Sequence, residues 1–264
     1  MKPQAPRKRL AIFAHFDAEN EVKPSIVHYM RHLRAECDRV VFVSTSALPP
    51  REVDKLGQHC AEVILRENVG FDFAMWQDAI RRVELGAWDE LVLANSSVLG
   101  PVRPLGDVFR RMAGSPCDFW GITQSKEYCD HLQSYFLVFR ARVLHSETFR
   151  AFFDAVLPFT DKQQVIYSYE LSLTHWFEEQ GFSWEAAFPY SLFEKGLFAR
   201  HREPVNPSLY FADELLRLGD PFLKVDVLRR KLRGVPVRAA LRALAATGYG
   251  AELLEYDRLR PKWP

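Results

Sequence analysis

Glu170 is the carboxylate whose neighbours say most about chemistry. Ile166, Leu173 and Phe177 stand four residues before it, three after it and seven after it, so a helix through this stretch would carry Glu170 on its apolar stripe. A carboxylate turned toward a core must be paired, hydrogen-bonded or protonated, and one that borders a cleft is the starting material of a general base. Two readings stand side by side: a base, or the buried partner of an arginine. Asp72 closes the segment Arg66-Glu67-Asn68-Val69-Gly70-Phe71-Asp72, which joins a strand to a helix through one glycine. Backbone amides at that helix start would face an anionic ligand. Asp72 itself would be either a cap and dipole partner of the helix or a substrate contact. His131, Gln133 and Tyr135 alternate before an apolar run, so a strand there would set them on one face as a polar row suited to hydroxyls or phosphate.

These residues need a frame, and the apolar runs supply one. Leu10 to Ala14, Val40 to Val43, Val63 to Leu65 and Leu91 to Ala94 are short and rich in branched or aromatic residues, as strands covered on both faces are. Helical patterns lie between them. Ile26, Met30, Leu33 and Cys37 share one side of a helix opened near Pro24, and Phe73, Trp76, Ile80 and Val83 repeat the pattern. This alternation predicts an α/β chain with a Rossmann-type, mostly parallel sheet, whose ligands meet the carboxyl ends of the strands. Those ends carry His15-Phe16-Asp17, Ser44-Thr45-Ser46, Arg66-Glu67-Asn68 and Asn95-Ser96-Ser97. Polar turns follow strands in any protein, but four such sets on one rim suit a nucleotide or a sugar. Further strands are expected at Phe119 to Ile122 and Tyr135 to Phe139, with helices near 143–156 and 165–180. From Asn206 onward, prolines punctuate short helical pieces, and the boundaries expected are a main domain over 9–205 and a helical appendage over 206–264.

Composition narrows the classes. The 264 residues are 48% hydrophobic and 26% charged, and 35 basic against 34 acidic side chains leave a formal net charge of +1, with no global pull toward nucleic acid. Four cysteines without a C-x-x-C pair suggest neither a zinc site nor a disulfide framework, and a reducing compartment is expected. The run after the basic start is too short for a signal peptide and no stretch would span a bilayer, so the expected location is cytoplasmic or peripheral on the inner face of the plasma membrane. In the tail, Lys224, Arg229, Arg230, Lys231, Arg233, Arg238 and Arg242 alternate with leucines and valines, which reads either as a solvated helix face or as a surface for anionic lipid. Dinucleotide, Walker-loop, H-E-x-x-H and G-x-S-x-G signatures are all missing.

Taken together, Arg66 to Asp72 with Phe73 and Trp76, Asn95-Ser96-Ser97-Val98-Leu99-Gly100-Pro101, Trp120-Gly121-Ile122-Thr123, His131 to Phe136 and Tyr169-Glu170 closely resemble the rhamnan synthesis protein F family. Phe13 to Asp17, Asn206-Pro207 and Pro221 to Lys224 extend the likeness over roughly residues 9 to 230. The resemblance implies a GT-A-like glycosyltransferase working in rhamnose-containing cell-surface polysaccharides such as the O-antigens of lipopolysaccharide. It implies dTDP-L-rhamnose as nucleotide-sugar donor and a lipid-linked oligosaccharide as acceptor, with Glu170 as catalytic base. Donor contacts would fall on His15, Asp17, Arg66, Asn68, Gly70, Asp72, Asn95 and Ser97, and sugar or acceptor contacts on Trp120, His131, Gln133 and Tyr135. A divalent cation, Mg2+ or Mn2+, would draw on Asp72 and Asn95. One departure bears on it: the family commonly carries an aspartate where this chain has Ser96, and a neutral triplet holds a hard cation less firmly. That departure keeps two alternatives in view, a binding module without turnover and a transferase for another nucleotide sugar.

Overall fold

The computed structural model describes residues 7–194, 205–229, 233–250 and 253. Its sheet begins with four parallel strands, β1 (Arg9–His15), β2 (Arg39–Ser44), β3 (Glu62–Leu65) and β4 (Glu90–Asn95), in the spatial order β3-β2-β1-β4. Helix α1 (Pro24–Glu36), opened by its proline, and α2 (Pro50–Asp54) follow β1 and β2. Helix α3 (Phe71–Ile80) follows β3, so the connections are the crossovers that parallel pairing demands. β5 (Val98–Leu99) and α4 (Leu105–Ala113) come next, and the sheet then continues through β6 (Phe119–Ser125), β7 (His131–Leu132) and β8 (Phe136–Arg140). β8 runs antiparallel between β4 and β6, and a later strand, β9 (Trp184–Phe188), pairs parallel with β6.

Alternate residues of β1 explain the two cores. Ala11 and Phe13 point into a cluster with Tyr29, Leu33 and Phe42, while Leu10, Ile12 and Ala14 point into the opposite one with Phe73, Trp76 and Leu93. Between β8 and β9 lie α5 (Ala141–Leu144), α6 (Glu147–Asp154) and α7 (Lys162–Val165), then a π-helical turn (Ile166–Glu170) that runs into α8 (Leu171–Glu179). Ser146 caps α6 by accepting from the Phe149 amide, and Asp161 caps α7 by accepting from that of Gln163.

The last part folds as α9 (Pro207–Tyr210), α10 (Ala212–Leu218), β10 (Leu223–Lys224), α11 (Val225–Arg229) and α12 (Val237–Ala245). It is tied to the rest by β10, which pairs antiparallel with β5, and by an apolar cluster in which Leu99 and Val102 join Leu216, Leu223 and Leu244. Phe211, Leu215 and Phe222 enter the main core as well. Of the basic tail residues, Arg230 and Lys231 lie outside the described residues, as does Leu232. No helix among the described residues is long and apolar enough to cross a membrane.

Two local expectations are corrected. The alternating strand through His131, Gln133 and Tyr135 is broken: β7 stops at Leu132 and β8 begins at Phe136, with a turn between them. The regular helix through Glu170 is interrupted by the π turn, which adds a residue to one revolution and rotates what precedes it.

Candidate active site

Glu170 sits at the junction of the π turn and α8, and the π turn decides where it points. Its neighbour Tyr169 takes the core position, packing against Phe73 and Phe159, while its hydroxyl accepts from the Leu157 amide at 2.7 Å. Glu170 is left half-buried and turned toward the β7–β8 turn. There Ser134 Oγ donates to one carboxylate oxygen at 2.9 Å and Gln133 Nε2 donates to the other at 3.2 Å. Both donors are neutral, and no arginine or lysine among the described residues pairs with Glu170. Glu90, at the far end of β4, is the contrast: it is 1% exposed and held by Arg7, Arg9 and Arg140. A buried carboxylate surrounded by guanidinium groups is neutralised in place, whereas Glu170 keeps its basic oxygens free of a cation.

Asp72 faces Glu170 from the first turn of α3. Burial and the negative charge of Glu170 push its carboxyl up to about 6, against the pull of a hydrogen bond from Asn95 Nδ2 at 2.8 Å. Asn95, at the end of β4, accepts from both the amide and the hydroxyl of Ser97, at 3.0 and 2.6 Å. α3 is held over this strand end because Trp76 Nε1 donates to Ala94 O at 3.1 Å. Its start needs Gly70, whose φ is +79°: a Cβ there would lie 2.4 Å from Ala74 Cβ and 2.8 Å from Pro158 Cα. Phe71 follows with φ of +52°, so two consecutive residues in the left-handed region deliver Asp72 to Asn95.

Gln133 is the hub of the polar network. Besides Glu170, its Nε2 meets His131 Nε2 at 3.3 Å, and its Oε1 accepts from Asn206 Nδ2 at 2.9 Å and from Lys224 Nζ at 2.7 Å. His131 Nδ1 in turn donates to Cys129 O at 2.9 Å. Gln133 and His131 are each 2% exposed, so the structure withdraws them from the surface expected to touch a sugar; Gln133 bonds to Glu170 directly, and His131 reaches only Gln133 and Cys129. Tyr135 is likewise withdrawn, its hydroxyl bonded to Thr123 Oγ1 at 3.0 Å. Trp120 is a core residue, 1% exposed and packed edge-on against Phe109, so it offers no surface to a ligand.

The remaining expected donor contacts are spread along the rim. His15 is buried with Nδ1 2.9 Å from Ser44 Oγ, and burial lowers its pKa to about 4, so it is neutral at physiological pH. Burial acts upward on the Asp17 carboxyl, but a 2.8 Å ion pair with Lys23 and the amides of Glu19 and Glu21 outweigh it and hold the group below its ordinary value. Arg66 pairs with Asp78 at 2.5 Å and donates to Val69 O, bracing the loop that ends in Gly70, while Asn68 on that loop is exposed. Among the described residues no three His, Cys, Asp or Glu side chains converge on one point that would hold an ion.

Residue-by-residue inspection of the sequence assigns no role to Ser134, because strand alternation turns it away from Gln133; the turn lets both reach Glu170. Asn206 was visible only as a familial residue and Lys224 as that and as part of the basic tail, and the fold brings both to the hub from the last part of the chain. Tyr128 and Tyr167, both exposed, form an edge-to-face pair at 5.8 Å, carried by the loop before β7 and by the π turn.

A mostly parallel sheet with its polar residues gathered at strand ends, carrying two antiparallel strands, β7 and β8, defines a GT-A-like fold. Consistent with this, the glycosyltransferase GlyE of Streptococcus pneumoniae superposes with a TM-score of 0.55 at 13% identity, covering 98% of this chain and 66% of that one. The chain belongs to the rhamnan synthesis protein F family, whose sequence model matches residues 40–260. Among relatives, the uncharacterized protein y4gN of Sinorhizobium fredii is 29% identical over 164 residues, which are 60% of this chain and 43% of that protein. The virulence protein VirA of Vibrio anguillarum is 28% identical over 203 residues, 67% of this chain and 65% of its own length. The chain therefore spans about half to two thirds of the relatives it matches.

Proposed function

We propose that this chain is an inverting glycosyltransferase that moves a deoxyhexose from a nucleoside diphosphate to an acceptor hydroxyl. The observation that carries the reading is Glu170: a half-buried carboxylate held by two neutral donors, without a cation, beside a second carboxylate at the carboxyl end of the sheet. In the reaction, Glu170 takes the acceptor proton while the hydroxyl oxygen forms its bond to the anomeric carbon. The bond from that carbon to the diphosphate breaks, and its electron pair leaves with the nucleoside diphosphate. Ser134 and Gln133 hold Glu170 in line for this, and proton removal by a positioned base is worth roughly 10² to 10⁴ in rate. Alignment of donor and acceptor supplies much of the rest.

The family description, rhamnan synthesis, supports rhamnose as the sugar; the proposed donor is dTDP-L-rhamnose, the proposed acceptor a lipid-linked glycan and the proposed place of work the cytoplasmic face of the membrane. Asp72 is suited to hold Mg2+ or Mn2+ in partnership with the donor's own phosphate oxygens, since such ions are often bound by one or two carboxylates plus substrate phosphates. The ion would stabilise charge on the departing diphosphate. Asn95, with its oxygen already accepting from Ser97, would orient Asp72 through its amide nitrogen.

Incubation with a panel of nucleotide sugars and a lipid-linked acceptor, following nucleoside diphosphate release, tests the reading. Release from dTDP-L-rhamnose is expected, and Glu170→Gln should lose roughly 10²- to 10⁴-fold in transfer with donor affinity retained. Full activity in that variant would remove Glu170 from the mechanism. The neutral Ser96 motivates a second reading, a nucleotide- or glycan-binding module without turnover, and donor binding with no release from any sugar would favour it.

A further inference from the structure

A cavity of about 290 Å³ lies between α10 and α12, well apart in the fold from Glu170, and three arginines line it: Arg103 from the loop after β5, Arg217 from α10 and Arg242 from α12. Leu216 and Ala243 contribute apolar wall, and Thr247 closes one side. Arg217 pairs with Asp213 on its own helix, while Arg103 and Arg242 have no carboxylate partner among the described residues. All three arginines are exposed, so water screens their mutual repulsion, but guanidinium groups contributed by three separate elements to one rim give it a positive potential that attracts an anion. Guanidinium groups match the oxygens of a phosphate in fork geometry, and the apolar wall suits the organic part of an ester.

We infer that this cavity is a binding site for a phosphate ester, separate from the proposed transfer site and independent of the transfer reading. The ester would come either from an anionic lipid headgroup or from a soluble phosphorylated compound. Arg103 lies just beyond β5, and β5 pairs with β10, whose Lys224 reaches the Gln133 hub.

The test uses the full chain in two arms. Flotation with phosphatidylcholine vesicles, with and without phosphatidylglycerol, reports a headgroup; titration with glycerol 1-phosphate, followed by thermal shift, reports a soluble ester. Arg103→Ala with Arg242→Ala should weaken binding roughly tenfold or more in whichever arm is positive, at about fivefold for each basic residue. Arg82→Ala with Arg150→Ala removes the same charge from exposed positions elsewhere and should change it less than about threefold. Arg103→Lys with Arg242→Lys keeps the charge and should recover part of the loss, with circular dichroism checking that each variant is folded. Binding in either arm with this pattern supports the site and identifies its source. Binding in neither arm, or an equal loss in the control pair, overturns it.

Discussion

At the scale of single residues, the candidate site is a question of what surrounds a carboxylate. Glu90 and Glu170 are both drawn into the protein, yet one is enclosed by arginines and the other by a serine and a glutamine. The first carboxylate is closed in by cations, and the second is held by neutral donors alone. The coupling between Glu170 and Asp72 is testable in the same terms. Since the charge of Glu170 helps to raise Asp72 to about 6, Glu170→Gln should bring the Asp72 titration down toward the ordinary carboxylate range. Carbon-13 NMR of the Asp72 carboxyl would follow it, and an unchanged midpoint would mean that burial alone sets the value. The spacing set Glu170 on the apolar stripe, and the π turn gives that inward position to Tyr169 instead. The identity of its partners was not legible either, because Ser134 and Gln133 face it only by virtue of a turn that the alternation of residue types conceals.

At the scale of elements, two irregularities aim the chemistry. The π turn over Ile166–Glu170 gives the inward position to Tyr169 and turns Glu170 toward Ser134 and Gln133. The left-handed pair Gly70 and Phe71 starts α3 so that Asp72 meets Asn95. Replacement of Gly70 by alanine would combine a strained φ with contacts of 2.4 and 2.8 Å to Ala74 and Pro158. The backbone strain alone costs about 1–3 kcal/mol, so Gly70→Ala should lower the urea midpoint and, by displacing Asp72, weaken donor binding. A variant with wild-type stability and donor affinity would show that the loop has room to move. The regular strands and helices around these irregularities follow from apolar periodicity, which is why β1 to β4, α1 and α3 were foreseeable. β9 and the β5–β10 pair were not, since two-residue strands and a strand with exposed positions carry almost no periodic signal.

At the scale of the whole molecule, buried carboxyl groups make stability depend on pH in opposite directions. Asp220, 2% exposed, is pushed up to about 8 by burial, against the hydrogen bond it accepts from the Phe222 amide. The folded chain therefore binds its proton more tightly than the unfolded chain, and the stability this confers is present at low pH and lost as pH rises through about 8. Asp72 acts in the same sense nearer 6. Asp17 and Glu52, held below their ordinary values by lysine partners and backbone amides, act in the opposite sense and lose their contribution as pH falls through their folded values. The buried His15 and the half-buried His32, lowered to about 4 by burial, add stability as pH rises toward the ordinary imidazole range, so thermal unfolding should peak at around pH 6 to 7 and decline on the alkaline side through Asp220. Asp220→Asn keeps an acceptor for the Phe222 amide and removes the buried charge, so above pH 8 it should be more stable than the wild type by at least about 1 kcal/mol. An unaltered alkaline slope in that variant would show that another group controls it.

Periodic apolar runs by themselves determined the α/β class, the parallel β1–β4 core and the polar rim, because burial of alternate side chains on both faces of a sheet leaves a pattern in any sequence that does it. Motif residues determined the family. Which of the rim residues act together was decided only in three dimensions: Asp72, Asn95, Gln133, Ser134 and Glu170 come from four separate stretches of chain, and Lys224 and Asn206 join them from a fifth and a sixth. Hydrogen bonds between groups so distant along the chain impose no local spacing, so nothing short of the folded backbone brings Glu170 and its hydrogen-bond partners to one place.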